Sequence, residues 1–274
     1  MGVLASAIGA LPTAGSKPAA SGQARAMKWH EDTLPLAQRQ LWATLGKTRE
    51  LGYVLYGGTA IALRLGHRES VDFDFFSERP LDKRSARGVS PLFVHAGVLQ
   101  DEPETLTLVV RMPETAVPVK VSFFGGISFG RVGEPDVAAN GVLVASPDDL
   151  LATKLKVMLE RVEAKDYRDV AALVRAGGDL SKGLAAAALL FKPTFQPSES
   201  LKALVYFKGG DLETLPVIER RILTEAVIGV KDLPIVTVRA SSLGARIDEP
   251  AQADRDRRDV GTEQDGGMDA GEGR

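Results

Sequence analysis

The 274-residue chain contains no cysteine. Disulfides and thiolate metal sites are therefore excluded. Histidine is almost as scarce, at three residues. A histidine-rich zinc centre is not expected, and any metal has to be held mainly by oxygen, which points to magnesium or manganese. No run is long and apolar enough to span a bilayer. No membrane partner is expected, and a cytoplasmic protein is. Positive charge is not in excess either: the formal net charge is −2. That leaves no global field for nucleic acid, only room for a local basic patch. Two phosphate-binding fingerprints also fail. G-x-G-x-x-G is missing around the glycine pair Gly57-Gly58. The stretch "LGKT" at Leu45 to Thr48 imitates the end of a P-loop, but Leu41 stands where the earlier glycine is required.

What remains is an ordinary globular composition, 44% apolar and 26% charged. Residues 1–26 are rich in Ala, Gly, Ser and Pro, and residues 240–274 are almost devoid of apolar side chains. Both are expected to be disordered, as a leader and an acidic tail. The intervening pattern is α+β. A helix is predicted over Leu34 to Leu51 and a strand over Tyr53 to Tyr56. Thr59 is read as the cap of a short helix that Gly66 ends, and Val71 to Phe76 as a second strand. One or two helical pieces fill Leu81 to Ala96. "TLTLVVRM" and "VPVKVSFFGG" read as an antiparallel pair, and "VLVAS" adds a small strand. Ser146, Pro147 and Asp149 then form a helix start, and helices follow to about Val230. The predicted division is an α/β core over 27–145 and a helical part over 146–232.

Asp72 and Asp74 pose the chemical question. Residues two apart in a strand share a face, so the two carboxylates project together while Val71, Phe73 and Phe75 turn into the core. Paired carboxylates repel, and a divalent cation relieves that repulsion. The plain alternative is a strand whose outer face happens to be acidic. The neighbouring Gly57-Gly58 opens a helix, where free N–H groups and the helix dipole suit a phosphate, and the Thr59 hydroxyl offers a further donor. Arg68, in the turn before the acidic strand, is within reach of the same phosphate.

The segment "GGTAIALRLGHRESVDFDFFS" resembles the signature of the AbiEii/AbiGii-type nucleotidyltransferase toxins of the polymerase-β-like superfamily. "VKVSFFG", "ASPDDLLATKL", Arg161 and "KDYRDV" follow in the order that family shows. The resemblance implies a small mixed sheet with flanking helices, followed by a helical part. It implies nucleotidyl transfer from an NTP, with the phosphates over Gly57, Gly58 and Thr59 and magnesium or manganese on Asp72 and Asp74. Lys154 would contact the triphosphate, and Asp166 would act as a site acid, in the metal shell or activating the acceptor. Arg161, Lys165 and Asp169 would support them. Many members of the superfamily carry a third carboxylate on a later strand, and Ser122 occupies its expected place here. RNA such as tRNA is the expected acceptor, and a neighbouring gene is expected to encode an antitoxin.

Lys154 and Arg161 are seven apart, and Asp166 and Asp169 three apart, so each pair is predicted to share a helix face. Read without the family, these four residues are an ion-pair set tying helix to helix. Small-molecule nucleotidylation and a catalytically silent nucleotide-binding module are the competing functions, the latter favoured by Ser122.

Overall fold

The structure, a computed structural model, describes residues 28–112, 115 and 117–244. The leader expected over 1–26 and most of the expected tail lie outside them. Eight α-helices and seven strands are described, in the order α1 (Leu36–Trp42), β1 (Val54–Tyr56), α2 (Gly57–Leu65), β2 (Asp72–Phe76), α3 (Lys83–Arg87), β3 (Gly97–Glu102), β4 (Thr105–Val110), β5 (Val119–Phe124), β6 (Asp136–Val137), β7 (Leu143–Val144), α4 (Pro147–Val157), α5 (Ala164–Arg175), α6 (Leu180–Leu190), α7 (Pro197–Val205) and α8 (Val217–Gly229).

The strands form one mixed sheet in the order β3–β4–β5–β2–β1–β7–β6. β2 is central. It runs antiparallel to β1 and parallel to β5. The expected β4–β5 antiparallel pair is present, with Leu106 opposite Phe123 and Leu108 opposite Val121. Those side chains join Phe73 and Phe75 on one sheet face, all fully buried. Trp42 stacks on Phe73 at 5.8 Å, and Phe75 on Phe123 at 5.5 Å. Each such side chain contributes about 1.5–3 kcal/mol by leaving water, so this face fixes which way β2 is turned.

The opposite face carries the acids and meets the helical part. There Tyr56 stacks on Phe76, and Phe129 meets Phe191 at the end of α6 edge to face at 5.1 Å. α2 lies between sheet and helices. Its Arg64 donates to the Ala145 and Val144 carbonyls and pairs with Asp136 at 2.8 Å. The last strand ends at Val144 and α4 begins at Pro147. Ser146 caps α4 as its sequence foretells, accepting from the Asp149 N–H at 3.1 Å.

Several expected elements take a different form. The single helix expected over Leu34 to Leu51 breaks into α1 and a 3-10 turn at Leu45–Thr48. The Asn140 amide donates to the Trp42 carbonyl at 2.6 Å and so takes over a carbonyl the helix would have used. β3, antiparallel to β4, and β6 were not foreseen. The helix read through "VMLERVE" stops at Val157 and restarts at Ala164. The tail expected from residue 240 starts later. Arg131 and Ala240 form a β-bridge, and the Leu243 side chain is fully buried, so residues 240–244 are fastened to the core.

Candidate active site

Burial along β2 alternates: Asp72, Asp74 and Phe76 are half-buried, Phe73 and Phe75 fully buried. The two carboxylates therefore share the face opposite the aromatic core. Registers bring specific neighbours onto that face. Asp74 lies opposite Tyr56 of β1 and Ser122 of β5, and Asp72 opposite Lys120 of β5. The Lys120 ammonium sits 2.9 Å from an Asp72 oxygen. Ser122 is nearly buried and hydrogen-bonds Asp74, with the Thr107 hydroxyl 3.4 Å away on β4.

Gly57 starts α2 at φ +74°, in the region that favours glycine. A Cβ there would lie 2.9 Å from an Asp74 oxygen, and one on Gly58 would lie 2.3 Å from the Arg68 guanidinium. The glycine pair thus lets both side chains approach the backbone at the helix start. Helix and strand are also tied at the other end: the Thr59 hydroxyl donates to the Asp72 carbonyl and lies 2.9 Å from the Ser70 hydroxyl. Thr59 does not cap α2, which begins two residues earlier. Its hydroxyl is engaged inside the fold rather than free for a ligand.

The second group of residues converges on two fully buried carboxylates of α5. Asp169 accepts from His67 and Arg68 on one oxygen, each at 2.7 Å, and from Arg68 and Lys154 on the other at 2.8 and 2.7 Å. Asp166 accepts from Lys154 at 2.7 Å and from the Arg161 fork at 2.9 and 3.2 Å. Since a carboxylate only accepts, His67 presents Nε2–H to it. Burial by itself raises both carboxyl pKa values. The hydrogen bonds from His67 and Arg68 and the Lys154 charge reverse this for Asp169, holding it well below the usual carboxylate range. Those from Arg161 and Lys154 likewise outweigh burial and lower the Asp166 carboxyl pKa. Three permanent cations, Lys154, Arg68 and Arg161, face Asp166 and Asp169, and Arg161 also lies 3.4 Å from Glu163. The Lys154 and Arg161 charges are felt at Asp74.

This geometry redraws part of the expected site. Both Asp166 oxygens accept from cations, so in this structure the carboxylate is engaged in holding Lys154 and Arg161. The seven-residue helical spacing of Lys154 and Arg161 is not realised, because Arg161 lies beyond α4 and reaches Asp166 from the turn. Lys165 pairs outward with Glu163 at 2.8 Å, and Arg168 turns to Glu219 of α8. Neither pairs with Asp166 or Asp169, although Lys165 shares Glu163 with Arg161. Two contributors were not foreseen. Nothing local in the sequence marks His67 or Lys120 as part of the site. The alternation of "VKVSFF" places Lys120 beside Ser122, but only the β2–β5 register puts it against Asp72.

The acid pair suits a divalent cation. Burial, and then the Asp72 charge, push the Asp74 carboxyl pKa up, against the opposing pull of Lys120 and Lys154. The pair is thus electrostatically incomplete, and oxygen donors of this kind match magnesium or manganese. Among the described residues no group of three or more His, Asp or Glu is placed to hold a metal. Two carboxylates are what magnesium uses when substrate phosphates supply further oxygens. No helix among the described residues is long and apolar enough to cross a membrane.

Comparison with known proteins identifies a family. Residues 47–229 match the family model described as "Nucleotidyl transferase AbiEii toxin, Type IV TA system". An uncharacterised protein of Aquifex aeolicus, aq_aa25, is 29% identical over 170 residues, 61% of this chain and 79% of its own. Among solved structures, the chain is similar to the nucleotidyltransferase toxin MenT4 (Rv2826c) of Mycobacterium tuberculosis. That match has a TM-score of 0.49 and 15% identity, over 71% of this chain and 83% of that one. It is also similar to JHP933 of Helicobacter pylori, with a TM-score of 0.46 and 16% identity, over 70% and 92%.

Proposed function

Because the chain belongs to the AbiEii nucleotidyltransferase toxin family, we propose that it moves a nucleoside monophosphate from an NTP to the end of an RNA, tRNA foremost. It acts as the toxin of a pair whose antitoxin is encoded by a neighbouring gene. The observation that carries this reading is the acid pair of β2 beside the cations Lys154, Arg68 and Arg161, which the buried Asp166 and Asp169 hold in place. That juxtaposition suits a triphosphate bridged to two carboxylates.

Asp72 and Asp74 would hold magnesium or manganese, which supplies charge neutralisation of the triphosphate and orientation of its α-phosphate. The start of α2 at Gly57 and Gly58 presents N–H groups and the positive end of its dipole to the phosphates. Lys154 and Arg161 neutralise the β- and γ-phosphates. As the Pα–O bond to the β-phosphate breaks, these cations receive the charge that leaves with pyrophosphate. Asp166 and Asp169 are positioning residues: they fix Lys154, Arg161 and Arg68 without touching substrate. Thr59 holds the start of β2 against α2. Lys165 stays peripheral, and Ser122 gives Asp74 a neutral hydroxyl where many members of the wider superfamily carry an acid.

Incubation with each α-labelled NTP, magnesium and total RNA should label a tRNA-sized band. Label that appears only on aminoglycoside-type small molecules, or on nothing, would sink the RNA reading.

Gly57→Ala tests the helix start. A methyl group at positive φ costs about 1–2 kcal/mol and displaces the Asp74 carboxylate. Transfer should fall on the order of a hundredfold, as misplacement of a reacting group by about 1 Å does. Melting temperature should drop by only a few degrees. Wild-type turnover in Gly57→Ala would show that Asp74 has no fixed position to lose.

A further inference from the structure

We infer that Lys120 is the acceptor-side cation of this site. It neutralises Asp72 while the site is empty and passes to a phosphodiester of the incoming RNA end when the acids are loaded. This rests on the nucleotidyl-transfer reading above and adds the side from which the acceptor enters.

The sheet order carries the argument. β2 lies between β1 and β5. The phosphate-binding groups gather at the α2 start, on the β1 side: Gly57 abuts Asp74, and Gly58 abuts Arg68, whose guanidinium shares Asp169 with Lys154. Lys120 is on β5, across β2 from them, and contacts Asp72 rather than Asp74. Strands lie about 4.8 Å apart, so these flanks are about 10 Å from each other. An in-line displacement expels pyrophosphate on one side of the α-phosphate and admits the attacking oxygen on the other. With pyrophosphate leaving toward Gly57 and Lys154, the attacking hydroxyl comes from the Lys120 side.

The partner exchange follows from charge. Lys120 and Asp72 are each a little over one-third exposed, so their ion pair is solvated and weakly held. A divalent cation on the same carboxylate repels the ammonium. Four rotatable carbons let Lys120 turn to another anion on the same open face. A nucleic-acid end carries such an anion next to its terminal hydroxyl. The immediate neighbours of Lys120 on this flank, Ser122 and Thr107, are neutral, so Lys120 is the cation beside Asp72 that can take this task.

The test uses Lys120→Met and Lys120→Arg in the full chain, with three binding measurements that need no turnover. The first is filter binding of a short oligoribonucleotide with a free 3′ hydroxyl, in manganese, over a range of salt. Lys120→Met should bind about fivefold more weakly near 0.1 M salt, with a log–log salt slope shallower by about 0.7, the loss of one single-strand phosphate contact. Lys120→Arg should restore both. The second is manganese binding followed by electron paramagnetic resonance without nucleotide. It should tighten severalfold in Lys120→Met, because the competing ammonium is gone. The third, NTP affinity in calcium, should stay within twofold of wild type. Unchanged RNA affinity and slope, weaker manganese binding, or a selective loss of NTP affinity would each overturn the assignment. Failure of the wild-type protein to bind any RNA would remove the RNA reading and this inference together. Failure confined to the variants removes only this one.

Discussion

Replacing Asp72 and Asp74 together by asparagine is expected to reduce nucleotide transfer by at least about a thousandfold while leaving the fold intact. The loss corresponds to several kcal/mol of charge stabilisation at the transferring phosphate, at about 1.4 kcal/mol per tenfold. Manganese binding should disappear with it, and so should growth inhibition on expression. Stability should move the other way. Burial and the neighbouring Asp72 raise the Asp74 carboxyl pKa in the folded state. A carboxyl whose folded pKa lies above its unfolded value destabilises the fold once pH exceeds the unfolded value of about 4. Asparagine keeps the shape and removes that repulsion, so melting at neutral pH should occur at the same or a higher temperature. Retained turnover in the double variant would put the chemistry elsewhere. A large drop in melting temperature would mean that the pair is structural.

The strand that carries those acids was legible because its information is local. "DFDFF" alternates, and a two-residue period separates acids from phenylalanines in any sheet that buries one face. The start of α4 was legible for the same reason, since Ser146, Pro147 and Asp149 act within one turn. What sequence pattern did not supply depended on distant partners. Helix 34–51 breaks where Asn140, nearly a hundred residues on, takes the Trp42 carbonyl. No glycine or proline marks the gap after Val157. There α5 restarts with its Ala164 N–H bonded to Asp211 at 2.6 Å, a cap supplied from 47 residues away. That break throws Arg161 off the helix. It reaches Asp166 all the same, so the partners were foreseeable and the geometry was not. Lys120 carries no local mark, because a parallel β2–β5 register cannot be read from either strand alone. Residues 240–244 escaped because Leu243 is a single apolar residue beside a polar tail.

The buried cluster supports the second large effect. Asp169→Asn should destabilise the protein by about 3–5 kcal/mol at neutral pH, the usual result of leaving buried charges without their partner. Four donor contacts from His67, Arg68 and Lys154 converge on Asp169, and none of these residues has another acid as fully buried except Lys154, which keeps Asp166. For a chain of this length that corresponds to a melting temperature lower by about 10 °C. The effect has a pH signature of known sign. Burial raises the Asp169 carboxyl, but His67, Arg68 and Lys154 outweigh it and hold the folded pKa below the unfolded value. The stabilisation is therefore fully present above the unfolded value of about 4 and is lost as pH falls from there toward the folded value. Urea midpoints of wild type and Asp169→Asn should differ most at neutral pH and draw together as pH drops below about 4. A gap that stays constant with pH, or one under about 1 kcal/mol at neutral pH, would show that the contacts to Asp169 add little. Activity separates positioning from packing. With urea absent and the variant folded, its NTP affinity should still fall about tenfold. Lys154 has lost one of the two carboxylates that aim it at the triphosphate, whereas a residue that only packs would leave the affinity of the folded fraction unchanged.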